Sequence, residues 1–291
     1  MTDTLTPEER ATRYYTAVDE GGEGAGSFFD KLMPGGDWSH GIREAEQLGM
    51  SPADSAREMK RRLLGKAGIK AGDTVLEFGS GVGGGTMNMA EMTGARFVGV
   101  SSADSLTREA RLRAQQRGMT DRVSFVTVDP YEYRTLESWP AESFDAVCFF
   151  ESVCHVPDKD RFMAAAYSRI RPGGTLFGLD WIQRPFGEYQ TDEQIAAIID
   201  PVCEHIRLAG LGTLDGYANW MRAAGFVVAE AVDEFAGIEC WGSTPPEDRE
   251  KWLSYQGKES GDLVRDGKNA LDAARGAGVF SVGWWVATKP R

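Results

Sequence analysis

Three glycines, Gly79, Gly81 and Gly84, form the pattern G-x-G-x-x-G directly after a short apolar run and before a helical segment. Glycine allows the backbone to turn tightly and to approach a ligand closely. The pattern is therefore typical of loops that bind a nucleotide cofactor. Alone it does not distinguish a dinucleotide, which brings a pyrophosphate to the loop, from a nucleotide cofactor without phosphate.

Acidic residues near the loop distinguish these two kinds of cofactor. Glu77 stands two residues before Gly79, where its carboxylate would repel a pyrophosphate but suit an amine or a sulfonium. A dinucleotide site also needs an acid about 20 residues further on, and Ser101 and Ser102 stand there instead. Asp129 ends a later apolar run, where it could accept a hydrogen bond from an adenine amino group. A strand-end cap is the structural alternative for each acid, but together they favour a cofactor without phosphate.

Glu151 and His155 are the candidate catalytic residues. Glu151 follows the apolar run AVCFF, and a carboxylate there is costly to bury unless it is paired or used. A lysine or arginine partner from residues 1–65, a predicted N-terminal lid, would be the structural explanation, and a role as general base would be the functional one. His155 could act as a second base or could only shape its loop.

The elements that must position these residues alternate along the chain. Five apolar runs of strand length lie between residues 74 and 181, and helical segments separate them. Such alternation predicts βαβ units and a parallel sheet with helices on both faces. Ligands of these sheets lie outside the carboxyl ends of the strands, where Glu77, Ser101, Asp129 and Glu151 are expected.

Helical segments are predicted before the alternating region and as two insertions after it. Residues 1–65 form an N-terminal helical lid, in which the aromatic segment 28–41 is assigned no regular structure. Residues 66–291 form the main domain, with helical insertions at about 182–224 and 244–278. Helix starts are expected at Thr6, Ser51 and Thr191, which carry capping patterns.

The stretch from Val75 to Trp181 resembles class I S-adenosylmethionine-dependent methyltransferases. VLEFGSGVGGG resembles their first motif, VTVD the adenine-edge motif, FDAV the fourth-strand motif and IRPGGTL the turn before strand five. The resemblance implies an α/β, Rossmann-like, seven-stranded sheet that is mostly parallel, with FSVGWWVATKP as its antiparallel last strand. It implies S-adenosyl-L-methionine as cofactor, although Ser101 replaces the acid that most members use for the ribose. The residues that would bind this cofactor are Glu77, Gly79, Gly81, Ser101 and Asp129.

FFESVCHVPD and GVSSADS narrow the resemblance to sterol and prenyl diphosphate (terpenoid) C-methyltransferases. In that subgroup the methylated alkene becomes a carbocation, and a glutamate after strand four takes the proton that this cation loses. Glu151 matches that glutamate by position. N-terminal aromatic helices cover the pocket there, and aromatic rings can stabilise a cation through their faces. The candidate substrate-pocket residues are Tyr15, Phe29, Trp38 and Trp181.

The resemblance thus implies C-methylation of an alkene carbon in a prenyl or terpenoid small molecule. Water would quench the carbocation, so the site must be dry. If the substrate carries a diphosphate, basic groups and Mg²⁺ are expected to hold it, with Arg43, Arg184, Arg207 and Arg249 as candidates. Two alternatives stay open, namely O- or N-methylation of a secondary metabolite with Glu151 or His155 as base, and a binding module without catalysis.

Composition limits the partners of the chain. A formal net charge of −12 argues against nucleic acids and acidic membrane surfaces. No apolar run approaches the roughly 20 residues that span a bilayer, and the polar start MTDTLTPEER does not resemble a signal peptide. Four cysteines without a CxxC pair and three widely spaced histidines support neither a metal site nor a disulfide framework. We therefore expect a cytoplasmic protein, and its helical arm leads us to expect a homo-oligomer.

Overall fold

The computed structural model of the chain describes residues 5–16, 25–33, 35–45, 47–128, 133–184, 191–240 and 261–291. The described strands are β1 (Thr74–Phe78), β2 (Arg96–Ser101), β3 (Val123–Thr127), β4 (Phe144–Phe150), β5 (Ile170–Gln183), β6 (Val227–Asp233) and β7 (Phe280–Thr288). The described α-helices are α1 (Pro7–Thr16), α2 (Ala25–Leu32), α3 (Pro52–Ala67), α4 (Gly84–Thr93), α5 (Asp104–Gln116), α6 (Lys159–Arg169), α7 (Asp192–Ile206), α8 (Leu214–Ala224) and α9 (Gly261–Gly276). Short 3₁₀ helices span Tyr133–Ser138 and Val153–His155.

The seven strands form one sheet in the order β3-β2-β1-β4-β5-β7-β6. Neighbours from β3 to β5 pair in parallel, whereas β7 runs antiparallel between β5 and β6. The expected Rossmann-like sheet with an antiparallel last strand is confirmed. The order of strands reverses between β1 and β4, and open sheets bind ligands in the crevice outside the carboxyl ends at this point.

Both faces of the sheet are covered by helices. Alternate side chains of a strand point to opposite faces, so Cys148 and Phe150 join the core that contains Met59 of α3. Val147 and Phe149 join the second core, which α6 and α8 cover. This coverage explains why β4 is an almost continuous apolar run.

The three expected helix starts are present. Thr6 caps α1, Ser51 caps α3, and Thr191 forms a capping box at α7. The segment 28–41 differs from the expectation, because its first part lies in α2. An eight-residue helix is too short to be stable alone, and α2 packs against α1, so tertiary contacts decide this element.

The division of the chain at residue 65 stays a prediction. Helix α3 packs against α4, β5 and β7, whereas α1 contacts α2 and the Val153–His155 turn. Helices α7 and α8 lie within the first expected insertion. The second is described only from Gly261, where α9 packs against α7; residues 244–260 lie outside the described ranges. No described helix is both long and apolar enough to cross a bilayer.

Residues 37–43, which we call the strap, precede α3 and are fixed by side chains of α3 and of the segment after β6. The Ile42 N–H donates to Ser55 Oγ of α3 at 2.9 Å. The Arg43 N–H donates to Glu234 Oε1, after β6, also at 2.9 Å. These bonds attach the strap to two separate parts of the fold.

A buried ion pair adds a third attachment of the strap to α3. Lys60 Nζ donates to Asp37 Oδ1 at 2.5 Å and to Ser39 Oγ. Asn88 Nδ2 of α4 donates to the second oxygen of Asp37 at 3.2 Å. Lys60 and Asp37 are almost completely buried, so each charge depends on the other for its compensation.

Asparagine at position 37 would remove the carboxylate that partners Lys60. Breaking one side of a buried ion pair typically costs about 3–5 kcal/mol. We expect Asp37→Asn to lower the free energy of unfolding in urea by about 3 kcal/mol. The double variant Asp37→Leu/Lys60→Met should recover most of that loss. A loss below about 1 kcal/mol, typical of exposed pairs, would contradict the proposed role of the pair.

Candidate active site

One pocket lies at the carboxyl edge of the sheet and is enclosed by residues of α1, α2 and the strap. It brings together residues from distant parts of the sequence. Asp129, the expected adenine partner, lies outside the described residues. The predicted site residues that line the pocket are Tyr15, Phe29, Trp38, Glu77, Gly79, Gly81, Ser101, Glu151, His155 and Trp181.

The glycine loop forms the floor of the pocket between β1 and α4. Gly79 and Gly81 have φ values of 80° and 54°, a left-handed conformation that favours glycine. The N–H groups of Gly79 and Ser80 donate to the Val100 carbonyl of β2, which fixes the loop. A Cβ at Gly81 would lie 3.8 Å from the Trp38 ring, so the strap covers the loop.

Glu77 is buried beside this loop. Its Oε2 accepts a hydrogen bond from the Thr86 hydroxyl of α4. Burial raises the pKa of Glu77 to about 7, although Thr86 and the Lys60 charge act in the opposite direction. A carboxyl group that is costly to ionise here gains most from a ligand with a positive charge.

Hydroxyl groups cluster at the end of β2, where the sequence predicts contacts to the cofactor. Ser101 is buried, and Ser102 Oγ accepts a hydrogen bond from Thr12 Oγ1 of α1 at 2.8 Å. All three residues line the pocket. Trp38 Nε1 is also buried, with no hydrogen-bond partner among the described residues. The glycine loop, Glu77, these hydroxyls and this unsatisfied donor fit a nucleoside cofactor with an amino-acid end.

Glu151 lies at the carboxyl end of β4 with a φ of 53°, which is rare for a residue other than glycine. Its Oε1 accepts hydrogen bonds from the backbone N–H of His40 and from His40 Nδ1, the latter at 2.7 Å. Its Oε2 accepts one from Trp181 Nε1 at 2.6 Å. Three N–H groups therefore orient one carboxylate, whose side chain is 10% exposed.

The sequence suggests a lysine or arginine as the structural partner of Glu151. Among the described residues, its ionisable partner is instead His40 of the strap. Burial lowers the pKa of His40, while Glu151 opposes that shift and Arg275 adds to it. A neutral ring that donates from Nδ1 needs no second buried charge. The His40 ring and backbone together supply two of the N–H groups that the Glu151 carboxylate accepts under the strap.

His155 joins three elements around the pocket. Its Nδ1 lies 3.1 Å from the Arg207 carbonyl, which can only accept, so Nδ1 carries the proton. Burial lowers the pKa of His155 to about 4, so the ring is neutral at pH 7 and Nε2 is an acceptor. Tyr15 of α1 donates its hydroxyl proton to this nitrogen at 3.2 Å. Both ring nitrogens are therefore engaged.

Aromatic rings form the wall opposite the glycine loop. Tyr15 stacks on Trp38 at a centroid distance of 6.4 Å, and Phe29 lies 6.0 Å from Trp38. On the other side, Trp181 meets Phe280 edge to face at 5.1 Å. The rings of α1, α2 and the strap thus cover the pocket as one packed layer.

Lys60, Asp37 and the bond between His40 and Glu151 are site features that the sequence interpretation missed. Lys60 had a usable signal, because it occupies the buried face of α3 between Ala56 and Leu64, four residues from each. Asp37 and His40 lie in a segment without periodicity. Their role follows only from the contacts that the strap makes.

Alanine at position 81 would place a methyl group between the loop and the Trp38 ring. We expect Gly81→Ala to weaken S-adenosylhomocysteine binding at least about tenfold in titration calorimetry, because the loop can no longer approach its ligand closely. Gly118→Ala is the matched control: its φ is 63° and its Cβ would meet nothing within 4 Å. Equal loss of affinity in both variants would mean that backbone strain alone is responsible.

The pKa of Glu77 leads to a second expectation about binding. Because a cationic ligand group favours the ionised carboxylate, S-adenosylhomocysteine affinity should rise between pH 6 and pH 8 and level off above that range. Calorimetry in buffers of different ionisation enthalpy should detect proton release near pH 7. Glu77→Gln should bind more weakly and without this pH dependence. Proton uptake on binding, or the same pH dependence in the variant, would contradict the assignment.

A family model described as a methyltransferase domain matches residues 52–231, more than half of the chain. The methyltransferase GfsG of Streptomyces halstedii is 29% identical over 62% of this chain and 62% of its own length. A sterol 24-C-methyltransferase of Eremothecium gossypii is 30% identical over 60% of this chain and 43% of its own. The 27-O-demethylrifamycin SV methyltransferase of Amycolatopsis mediterranei is 29% identical over 74% and 76%. The chain thus spans less than two thirds of the first two relatives.

Solved structures share the whole architecture at low sequence identity. The cyclase SpnF superposes with a TM-score of 0.76 and 19% identity, over 98% of this chain and 97% of that one. Geranyl diphosphate C-methyltransferase from Streptomyces coelicolor, solved with Mg²⁺, geranyl diphosphate and S-adenosyl-L-homocysteine, gives 0.69 and 16% over 99% and 100%. These similarities show the fold, and the domain match shows the family. The chain belongs to the methyltransferase-domain family, and its fold is that of the S-adenosylmethionine-dependent class I enzymes.

Proposed function

We propose that this protein methylates an alkene carbon of an apolar, prenyl- or terpenoid-type small molecule, with Glu151 as the base. The observation that carries the proposal is the set of three N–H donors around the Glu151 carboxylate. S-adenosyl-L-methionine would lie against the glycine loop and supply an electrophilic methyl group. The alkene would attack this methyl carbon, and the resulting carbocation would lose a proton to Glu151.

The surroundings of Glu151 favour this chemistry over deprotonation of a hydroxyl. A carboxylate is intrinsically a weak base. A C–H next to a carbocation is acidic enough for a weak base, whereas an alcohol or phenol needs a stronger one. His155, the second candidate base, has its Nε2 occupied by Tyr15. Its proposed role is therefore to hold the pocket wall.

The pocket lining also suits a cation that must be kept from nucleophiles. The rings of Tyr15, Phe29, Trp38 and Trp181 can face a positive charge. Cys154 lines the pocket as well, but burial raises its pKa well above the usual value, so the thiol stays protonated and weakly nucleophilic. Exclusion of water would then leave the Glu151 carboxylate as the proton acceptor.

The described lining of the pocket carries little positive charge with which to hold a diphosphate. Among the described residues that line the pocket, Lys60 is the only lysine or arginine, and Asp37 neutralises it. Arg184 is engaged with Asp233, and Arg249 lies outside the described ranges. No group of three histidine, cysteine or acidic residues in the described part could hold a metal. Mg²⁺ that enters with a diphosphate would be held mainly by the phosphates, waters and one or two carboxylates, so it needs no such group.

O-methylation is the alternative, supported by similarity to the rifamycin methyltransferase. Radiolabelled S-adenosylmethionine, offered with geranyl diphosphate, a sterol with a side-chain double bond, or a phenol, separates the cases. A labelled methyl group bonded to a carbon atom of the alkene product supports the proposal. Label only on the phenol oxygen contradicts it.

Glutamine at position 151 keeps the size of the side chain but removes its charge and basicity. We expect Glu151→Gln to lower kcat about 10²-fold or more while S-adenosylhomocysteine affinity is kept. A carbocation that persists longer can also lose a different proton, so an isomeric product is a second expected result. Product ratios and kcat are measured with the best alkene of the panel.

Glu234→Gln is a closely matched control for this variant. Glu234 is also buried, accepts the strap N–H of Arg43, and accepts a tryptophan indole N–H, that of Trp284 at 2.8 Å. It does not line the pocket. Glu234→Gln should therefore lower the melting temperature without changing the product. Wild-type kcat and product in Glu151→Gln would exclude Glu151 as the base.

A further inference from the structure

Asp180, near the end of β5, is a completely buried carboxyl group that does not line the pocket. It interrupts the apolar run LFGLDW. Burial of a carboxylate is costly unless hydrogen bonds compensate it. The hydrogen bonds that compensate its burial come from two residues of the pocket wall, and they indicate a role in the site.

Each oxygen of Asp180 accepts one backbone N–H from a residue that lines the pocket. Oδ1 accepts the Trp181 N–H at 2.8 Å, and Oδ2 accepts the Cys154 N–H at 2.9 Å. Trp181 is the residue whose indole donates to Glu151. Cys154 is the middle residue of the short helix that ends at His155. One carboxylate therefore links the indole on one side of Glu151 to the turn on the other.

The protonation of Asp180 determines whether both bonds can exist. An ionised carboxylate accepts both N–H groups, whereas a protonated one turns its O–H toward one of the donors. Burial raises the pKa of Asp180 to about 7, and the Glu151 charge adds to this rise. The Cys154 thiol, the Trp181 N–H and the charge of Lys159 on α6 act in the opposite direction. Burial raises the pKa of the Tyr217 hydroxyl on α8, and interaction of this side chain with the same carboxyl group raises it further.

We infer that Asp180 is a positioning residue: its carboxylate holds Trp181 and the Cys154–His155 turn in the arrangement that orients Glu151. This inference rests on the proposed role of Glu151. The ionised form of Asp180 is the one that supports turnover. At saturating cofactor, where Glu77 no longer limits binding, kcat should therefore rise as the pH passes upward through about 7 and fall below it.

The test compares Asp180→Asn with wild type and with Asp145→Asn. Asparagine offers one acceptor and one donor group, so one of the two N–H groups loses its partner. Asp145 is the matched control, because it accepts the Thr74 N–H at 2.8 Å in the same sheet and does not line the pocket. Turnover is measured with the best alkene of the panel, and affinity with S-adenosylhomocysteine.

We expect Asp180→Asn to lower kcat about 10- to 100-fold, as small misplacements of catalytic groups do, with cofactor affinity kept and the rise of kcat near pH 7 absent. Selective ¹⁵N-tryptophan labelling gives a readout without substrate. The Trp181 amide, assigned with Trp181→Phe, should shift near pH 7 in wild type and in Asp145→Asn, but not in Asp180→Asn. Wild-type kcat and pH profile in Asp180→Asn would overturn the inference.

Cys154→Ala keeps the inference testable if Asp180→Asn does not fold. Loss of the thiol removes a group that lowers the pKa of Asp180, so the rise of kcat should move to higher pH. An unchanged profile would overturn the inference. Glu151→Gln separates the two proposals: if it retains full activity, the proposed function fails, whereas a strong effect of Glu151→Gln with none of Asp180→Asn refutes only the role of Asp180.

Discussion

The N–H groups that surround the Glu151 carboxylate are the constraint on which the site depends. A carboxylate under a packed aromatic layer stays charged only if donors replace the water it has lost. Two of these donors come from His40 of the strap and one from Trp181 of β5. The left-handed backbone of Glu151 directs the side chain toward them, and backbone strain of this kind is typical of functional sites.

Two glutamates hold the strap in the same way. Glu151 and Glu234 each accept one strap backbone N–H and one tryptophan indole N–H. Ser55 and the Asp37–Lys60 pair attach the strap to α3 as well. Of these two glutamates, only Glu151 lines the pocket. The strap is therefore both the cover of the cofactor loop, through Trp38, and the source of the donors that orient the candidate base. Its position couples the two halves of the pocket.

His155 and Asp180 extend this coupling to the surrounding elements. His155 connects α1, through Tyr15, to the turn after α7, through the Arg207 carbonyl. Asp180 connects β5 to the turn that contains His155. Polar groups buried in this way are favourable only as a fully bonded set. Any displacement of α1 from the pocket would therefore break the bond from Tyr15.

The sequence by itself determined the order of strands and helices, the helix caps, and the carboxyl-edge positions of Glu77, Ser101 and Glu151. Hydrophobic periodicity, capping pairs and the glycine loop are local signals, so they can be recognised without the fold. Only the tertiary structure decided that α2 is a helix, that His40 and Trp181 hold Glu151, and that Lys60 and Asp180 are buried ionisable residues. His40 and Glu151 are 111 positions apart. Hydrogen bonds across such distances depend on how the elements pack, and a single polar pair leaves no periodic pattern in the chain.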